Sequence, residues 1–369
     1  MDINLNTALV YNRDNNVWEQ GEPKLFLGQP LGLFDSINVA HPKLREFYNR
    51  QKQIDWKEDE VDLGQDIIDM QKAAKATIDI MVHNLSYQWE VDSKAVKSFA
   101  VLLAPFITDN QFWHAQLKCG EIEGLHANTY AEVVRQCIPD PNIIFRSIKN
   151  NKQIMDRSNT ITKALEDLAL AGLQYTAGII PNDQKLYNRV FVGYIAMYLL
   201  ERCQFTTSFS STFITAENGD FQGICKLVQK IAIDEITVHA PMGAYVITSS
   251  IMQDARAQVA MTDCHKQIKN MVEDIRKSEH RWAKYIFSEG RRIVGLNADL
   301  NCDFADFNIW EAEQVLGLTS LPKPSNPLTF MNHWFNIDST QVAQQEADNT
   351  NYAKIFVSND LKDTDILEF

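Results

Sequence analysis

Glu123-Gly-Leu-His126-Ala-Asn-Thr-Tyr130 places an acid, an imidazole and a phenol at spacings of zero, three and seven residues. On a helix of about 3.6 residues per turn these positions share one face. Glu123 and His126 stand one turn apart, so both can reach a single bound ion. Tyr130 lies about one turn further on, roughly 6 Å of rise past His126. A carboxylate oxygen with an imidazole nitrogen suits iron, manganese or zinc. Glu-x-x-His also arises on ordinary surface helices, so the stretch gains meaning only if the rest of the chain supplies partners.

Working outward, the flanking sequence reads as helix. Ile67, Ile68, Met70, Ala74, Ile78, Ile80, Met81, Leu85 and Trp89 recur at three- to four-residue intervals and predict a helix from about 65 to 93, with Asp92 near its end. A second is expected over 96–105, where Pro105 interrupts it. Asp109 can cap a third, over 110–137, which carries the opening stretch and ends before Pro139 and Pro141. Further helices are expected over 153–174, from Pro181-Asn-Asp to about 212, over 220–252 and over 256–288. The run Phe191 to Leu200 is apolar all round, as in a bundle core, and Glu201 follows it directly. Glu217-Asn-Gly-Asp is a turn, Gly290 and Gly295 close the last helix, and Pro322, Pro324 and Pro327 mark a loop. The expectation is an all-α helical bundle with three parts: an N-terminal segment with a short helix after His41 (1–64), a helical domain (65–338) and a polar, mobile tail (339–369).

The 369 residues are 45% hydrophobic, enough for a large core. No apolar run reaches the roughly 18 residues of a membrane span, and the N-terminus lacks the basic and apolar regions of a signal peptide, so no membrane association and a cytoplasmic location are expected. A net charge of −13 argues against nucleic-acid binding, which needs a basic face. None of the six cysteines forms a C-x-x-C pair, which excludes zinc-ribbon and thioredoxin-like readings.

A dinuclear site in a helical bundle needs about four carboxylates and two histidines, spread over four helices. Asp92 on one helix, with Glu123 and His126 on the next, would make one half. Glu201 on one helix, with Glu235 and His239 on the next, would make the other. The gaps are 31 residues from Asp92 to Glu123 and 34 from Glu201 to Glu235, which fit antiparallel neighbours. Glu201 ends ten uncharged residues. If buried it should bind a cation or neutralise, because an unpaired buried carboxylate costs several kcal/mol. The alternative is a Glu201 turned to solvent.

At these residues the sequence resembles the small, radical-generating subunit of class I ribonucleotide reductase. The likeness runs in order from about residue 25 to the C-terminus. Its motifs include Asn84-Leu-Ser-Tyr-Gln, Asp92-Ser, Glu123-x-x-His126-x-x-x-Tyr130, Glu201-x-x-x-Phe205-x-x-Ser208-Phe209, Ile231-Ala-Ile-Asp234-Glu235, Gly295-Leu-Asn, Ser325-Asn-Pro, Val342-Ala-Gln-Gln-Glu346 and Tyr352. The resemblance implies a ferritin-like fold and a homodimer. It implies two metal ions per chain, di-iron first and Mn/Fe or Mn/Mn as alternatives, held by Asp92, Glu123, His126, Glu201, Glu235 and His239. It further implies a Tyr130 radical in an apolar pocket of Phe205, Phe209 and Ile231. A relay through Trp56, Asp234, His126 and Tyr352 would pass the radical to a large catalytic subunit, docked by the tail ending Asp365-Ile-Leu-Glu-Phe369. Read singly, Tyr130 could be a core tyrosine and Trp56 simple packing.

The chain departs from the family at two points. The second pair is usually Glu-x-x-His; here it is Glu235-x-x-x-His239, one residue longer, which turns the histidine by about 100° on a regular helix. A π-bulge would absorb the extra residue. Cys119 stands where many relatives carry tryptophan. A different ferritin-like carboxylate protein, an oxidase or hydroxylase component, would keep the metal site but need neither Trp56 nor the tail. A non-catalytic helical binding protein would need none of these features.

Overall fold

A computed structural model describes residues 10–15 and 24–337. Among these residues every regular element is helical, and extended pairing is confined to isolated bridges, Phe26 with Ile107 and Ile293 with Leu296. The all-α expectation holds. In chain order the helices are α1 (Pro42–Gln53), α2 (Gly64–Lys72), α3 (Lys75–Ser98), α4 (Asn110–Cys137), α5 (Asn142–Asn150), α6 (Lys152–Thr176) and α7 (Gln184–Leu199). A π-turn at Leu200–Gln204 leads into α8 (Thr206–Glu217). α9 (Gln222–Asp234) then runs through a second π-turn, Glu235–His239, into α10 (Ala240–Gln253). α11 (Ala255–Asp263), α12 (His265–Ile286), α13 (Ala298–Val315) and the short α14 (Met331–Trp334) complete the described chain. None of the helices is long and apolar enough to cross a membrane.

Local sequence accounts for several of these boundaries. Asp109 caps α4 by accepting from the Phe112 amide at 2.7 Å, and Asp183 caps α7 by accepting from Leu186 at 2.9 Å. Every residue from Val190 to Leu199 is buried, so the apolar run forms a helix with no solvent face. α8 is sealed in the same way, with Thr206 to Ala216 all buried, hydroxyls included. The packing of α3 on α4, of α8 on α3 and α9, and of the two π-turns on each other brings four helical rods around one interior point.

Other boundaries differ from the sequence expectation. The helix expected over 65–93 is two helices, broken at Ala73, whose ψ of 161° is extended. The break lets α2 dock separately: Asp69 accepts from the Phe221 amide at 3.0 Å and Asp66 from Ile224 at 2.8 Å, so two α2 acids bind the free amides that start α9. Gly223 belongs to this joint, because a Cβ there would lie 2.3 Å from Asp66 Oδ2. Residues 99–106 are turns rather than the helix expected over 96–105. α11 and α12 divide the span expected as one helix over 256–288, and α5 and α13 were not expected at all. Tyr352, the Val342–Glu346 motif and the C-terminal docking tail lie outside the described residues.

Candidate metal centre

Six side chains singled out in the sequence converge in the interior. α3 brings Asp92, α4 brings Glu123 and His126, the first π-turn brings Glu201, and the second brings Glu235 and His239. None is more than 2% exposed. Their potential ligand atoms fall into two groups, each within 4.8 Å: Asp92, Glu123 and His126 in one, and Glu123, Glu201, Glu235 and His239 in the other. Glu123 belongs to both groups and therefore stands between two ion positions.

The one-residue-longer spacing of Glu235 and His239 is absorbed as the bulge expectation required. Winding Glu235–His239 as a π-turn puts an extra residue in a single wider turn, so acid and imidazole again face the same way. His239 Nδ1 lies 2.9 Å from Glu123 Oε1, 2.9 Å from Glu235 Oε2 and 3.8 Å from Glu201 Oε2. His126 Nδ1 lies 3.2 Å from Glu235 Oε1 and 3.7 Å from Glu123 Oε2. These contacts are close but lack hydrogen-bond angles. All oxygens of Asp92, Glu123, Glu201 and Glu235, with Nδ1 of both histidines, are buried without a hydrogen-bond partner. Lone pairs that converge on common points instead of on donors are what a cation pair needs, and four buried carboxylates cannot all stay ionised without one. The residues fit two metal ions.

The electrostatics point the same way. Burial, and then the Glu123 charge, push the Asp92 carboxyl well above the usual carboxylate range. Burial with the charges of Glu235 and Glu123 does the same to Glu201. For Glu235 burial acts upward too, but the His239 charge and the polar contacts of its neighbours outweigh it and hold the group low. Burial would lower both histidines. Interactions with Asp234, Glu123 and Glu235 raise His126 instead, and Cys119 and Glu235 raise His239. Four of the groups thus hold protons more tightly than free side chains do.

Around the cluster sits a second layer of polar contacts. Asp234 Oδ2 lies 3.0 Å from His126 Nε2 and accepts from Trp56 Nε1 at 2.8 Å. It fixes the Nε2 proton and so turns the Nδ1 lone pair toward the carboxylates. The Trp56 and His126 rings are near-parallel, with centroids 6.1 Å apart and planes at 20°. Asp234 has a further partner that was not anticipated: Gln51 Nε2 donates to Oδ1 at 2.7 Å. The signal was available, because the buried residues of α1 are Leu44, Phe47 and Gln51, and a glutamine completes an otherwise apolar stripe. Tyr130 is fully buried, and its hydroxyl has no hydrogen-bond partner among the described residues. Burial and the charges of Asp92, Glu235 and Glu123 push the phenol well above its ordinary value. Phe205, Phe209 and Ile231 are fully buried, and the two phenyl rings stack at 5.7 Å. Cys119 is buried as well.

The sequence profile described as "Ribonucleotide reductase, small chain" matches residues 33–327. The chain belongs to the ribonucleotide reductase small-chain family. A curated relative, the ribonucleoside-diphosphate reductase subunit beta of Buchnera aphidicola subsp. Acyrthosiphon pisum, is 24% identical over 98% of this chain and 98% of its own. Among solved structures, the ribonucleotide reductase R2 subunit from Clostridium botulinum superposes with a TM-score of 0.76 at 15% identity, over 90% of this chain and 99% of that one. The dimanganese(II) NrdF of Streptococcus sanguinis superposes with a TM-score of 0.66 at 14% identity, over 81% of this chain and 97% of that one. The helical bundle is thus the fold of the R2 subunits. As a ribonucleotide reductase small chain, the protein is the radical-generating component of an oxidoreductase, carries a dimetal site and works with a large subunit.

Proposed function

We propose that Asp92, Glu123, His126, Glu201, Glu235 and His239 hold the two metal ions, and that Tyr130 is the residue oxidised to a radical. The observation that carries this reading is the set of buried carboxylate oxygens aimed at two shared points with no donor to meet them. When bound, the metal pair supplies oxidising power drawn from oxygen. Carboxylate oxygens with imidazole nitrogens suit iron or manganese. We assign two irons, and Mn/Fe or Mn/Mn pairs fit the same donors.

The chain's own residues do the rest. Tyr130 keeps its proton at neutral pH because burial raises its affinity for it. Losing an electron therefore means losing the Oη proton as well. Full burial of Tyr130 excludes water and reductants from the phenol. On the opposite side of His126, Asp234 joins the imidazole to the Trp56 indole through two hydrogen bonds. We assign Trp56, Asp234 and His126 as an electron relay, with Tyr352 continuing it and residues 339–369 docking on the large subunit. The working unit is a homodimer. A ferritin-like oxidase or hydroxylase component would need the carboxylate cluster but not this Trp56–Asp234–His126 line.

The test is metal analysis followed by electron paramagnetic resonance after adding Fe(II) and oxygen, and in parallel manganese. Two ions per chain and a tyrosyl signal that disappears in Tyr130→Phe, with both ions retained, are expected. A tyrosyl signal that survives Tyr130→Phe would sink the radical assignment.

A further inference from the structure

Arg157 is 2% exposed, Glu279 is fully buried, and neither belongs to the metal cluster. They form a bidentate pair, Arg157 Nε to Glu279 Oε1 at 2.7 Å and Nη2 to Oε2 at 2.6 Å. The guanidinium lies 3.7 Å from the Tyr87 ring centroid and 4.7 Å from that of Trp282, so an aromatic ring from α3 and another from α12 hold it. A buried ion pair is weak evidence of stabilisation, because desolvation cancels much of the attraction. Its expense calls for another use.

That use is visible at the first π-turn. The amides of Ser208 and Phe209 both bond to the Phe205 carbonyl, at 3.0 and 2.9 Å. The Gln204 carbonyl is thereby passed over by the helix ladder, as happens where a π-turn rejoins an α-helix. Arg157 Nη2 donates to this carbonyl at 2.6 Å, and the Gln204 side chain donates back to the Arg157 carbonyl at 2.8 Å. Nη1 donates to Ser208 Oγ at 2.6 Å, and Thr207 Oγ1, which donates to Glu279, lies 2.6 Å from Nη2 and shares the hydrogens that serve Glu279 and Gln204. One guanidinium thus binds the released carbonyl of the π-turn and the first turn of α8.

We infer that Arg157, backed by Glu279, is a positioning residue for Glu201: it fixes the π-turn Leu200–Gln204 in the winding that aims Glu201 at the ion shared with Glu235 and His239. This inference rests on Glu201 being a metal ligand. A planar five-donor group suits the task, since it serves a carbonyl, two hydroxyls and a carboxylate from one fixed plane. Lysine, with a single ammonium, cannot serve all four. Relaxation of the turn toward a regular helix would rotate Glu201 away from the group of Glu123, Glu235 and His239. The group of Asp92, Glu123 and His126 stands on α3 and α4 and would be untouched.

The experiment compares Mn(II) binding isotherms, read by electron paramagnetic resonance of free Mn(II), for full-length wild type, Arg157→Lys, the neutral double variant Arg157→Met/Glu279→Gln, and Glu201→Ala. Circular dichroism checks that each is folded. Glu201→Ala should lose one of the two sites. Arg157→Lys and the double variant should weaken one site at least tenfold and leave the other at wild-type affinity. A purely structural role would shift both sites together or neither. If Glu201→Ala loses a site while both folded Arg157 variants bind as wild type does, the inference fails and the ligand assignment stands. If Glu201→Ala binds two ions normally, the ligand assignment fails and the inference with it. Should the double variant not fold, the Arg157→Lys isotherm decides.

Discussion

The carboxylates of the cluster and the Nδ1 atoms of its two imidazoles lie buried with lone pairs that no donor meets. Asp92 and Glu201 are pushed up, and so are His126 and His239, so without ions these groups hold protons more tightly than the free side chains do. Metal ligation requires the deprotonated forms. Ion entry must therefore expel protons, and a lower pH favours the protonated, metal-free cluster. Apparent affinity is expected to fall as pH drops from 8 to 6. Calorimetry in buffers of different ionisation enthalpy measures the proton count directly. Binding that releases no protons would contradict the arrangement. The burial and grouping of these side chains were legible residue by residue, because an acid closing a long apolar run, as Glu201 does, is carried inside with the run. Gln51 and Arg157 were not legible. Their partners lie 183 and 122 residues away in sequence, at Asp234 and Glu279, and no local pattern encodes such pairings.

At the scale of elements, the sequence carried helix identity well and helix ends poorly. The π-turn at Glu235–His239 could be read because a spacing one residue too long left a visible mismatch. The one at Leu200–Gln204 could not, because Glu201 has no histidine partner on its own turn to expose the register. α13 escaped notice for a different reason. Two of its inward positions are Asn301 and Asn308, which interrupt the apolar period set by Phe304, Ala305, Ile309 and Ala312. The break between α2 and α3 follows from Asp66 and Asp69, which must reach the start of α9. Burial raises Asp66 from 3.8 to about 6, against the pull of the Ile224 and Gly223 amides. The native state thus binds the Asp66 proton more tightly than the unfolded chain does. Its contribution to stability is complete below pH 3.8 and is lost as pH rises through about 6. The loss amounts to about 3 kcal/mol above that range. Asp66→Asn keeps an acceptor for the Ile224 amide without the charge. It is expected to raise the urea midpoint at pH 8, with the gain over wild type about halved near pH 5. A gain that grows toward acid would overturn this account of the joint.

For the whole molecule, burial poses the problem that the architecture must solve. Tyr130 and the six cluster residues are sealed in the bundle, so an oxidised phenol there cannot touch a nucleotide. In the relay proposed above the oxidising equivalent leaves as an electron vacancy through Trp56, itself only 8% exposed and hydrogen-bonded to the Asp234 carboxylate that also meets His126. Beyond Trp56 the path needs the large subunit to be held in place. The docking segment proposed above, residues 339–369, carries Tyr352 and the stretch Asp365-Ile-Leu-Glu-Phe369, in which acids flank apolar side chains, a pattern that suits a partner's groove. Convergence of four helices on one buried cluster was legible because an acid followed by an acid-plus-histidine occurs twice. The proposed docking would leave no comparable trace inside the bundle, since its residues would need only the partner. Generating the radical and delivering it should therefore separate cleanly. Removing residues 340–369 is expected to leave metal uptake and the tyrosyl signal at wild-type levels while nucleotide reduction with the large subunit falls to background. A synthetic peptide of the last twenty or so residues should compete with the intact chain for that subunit. Reduction that persists at wild-type rate after truncation would move the docking surface onto the helical body, and the relay would then have to reach the partner without Tyr352.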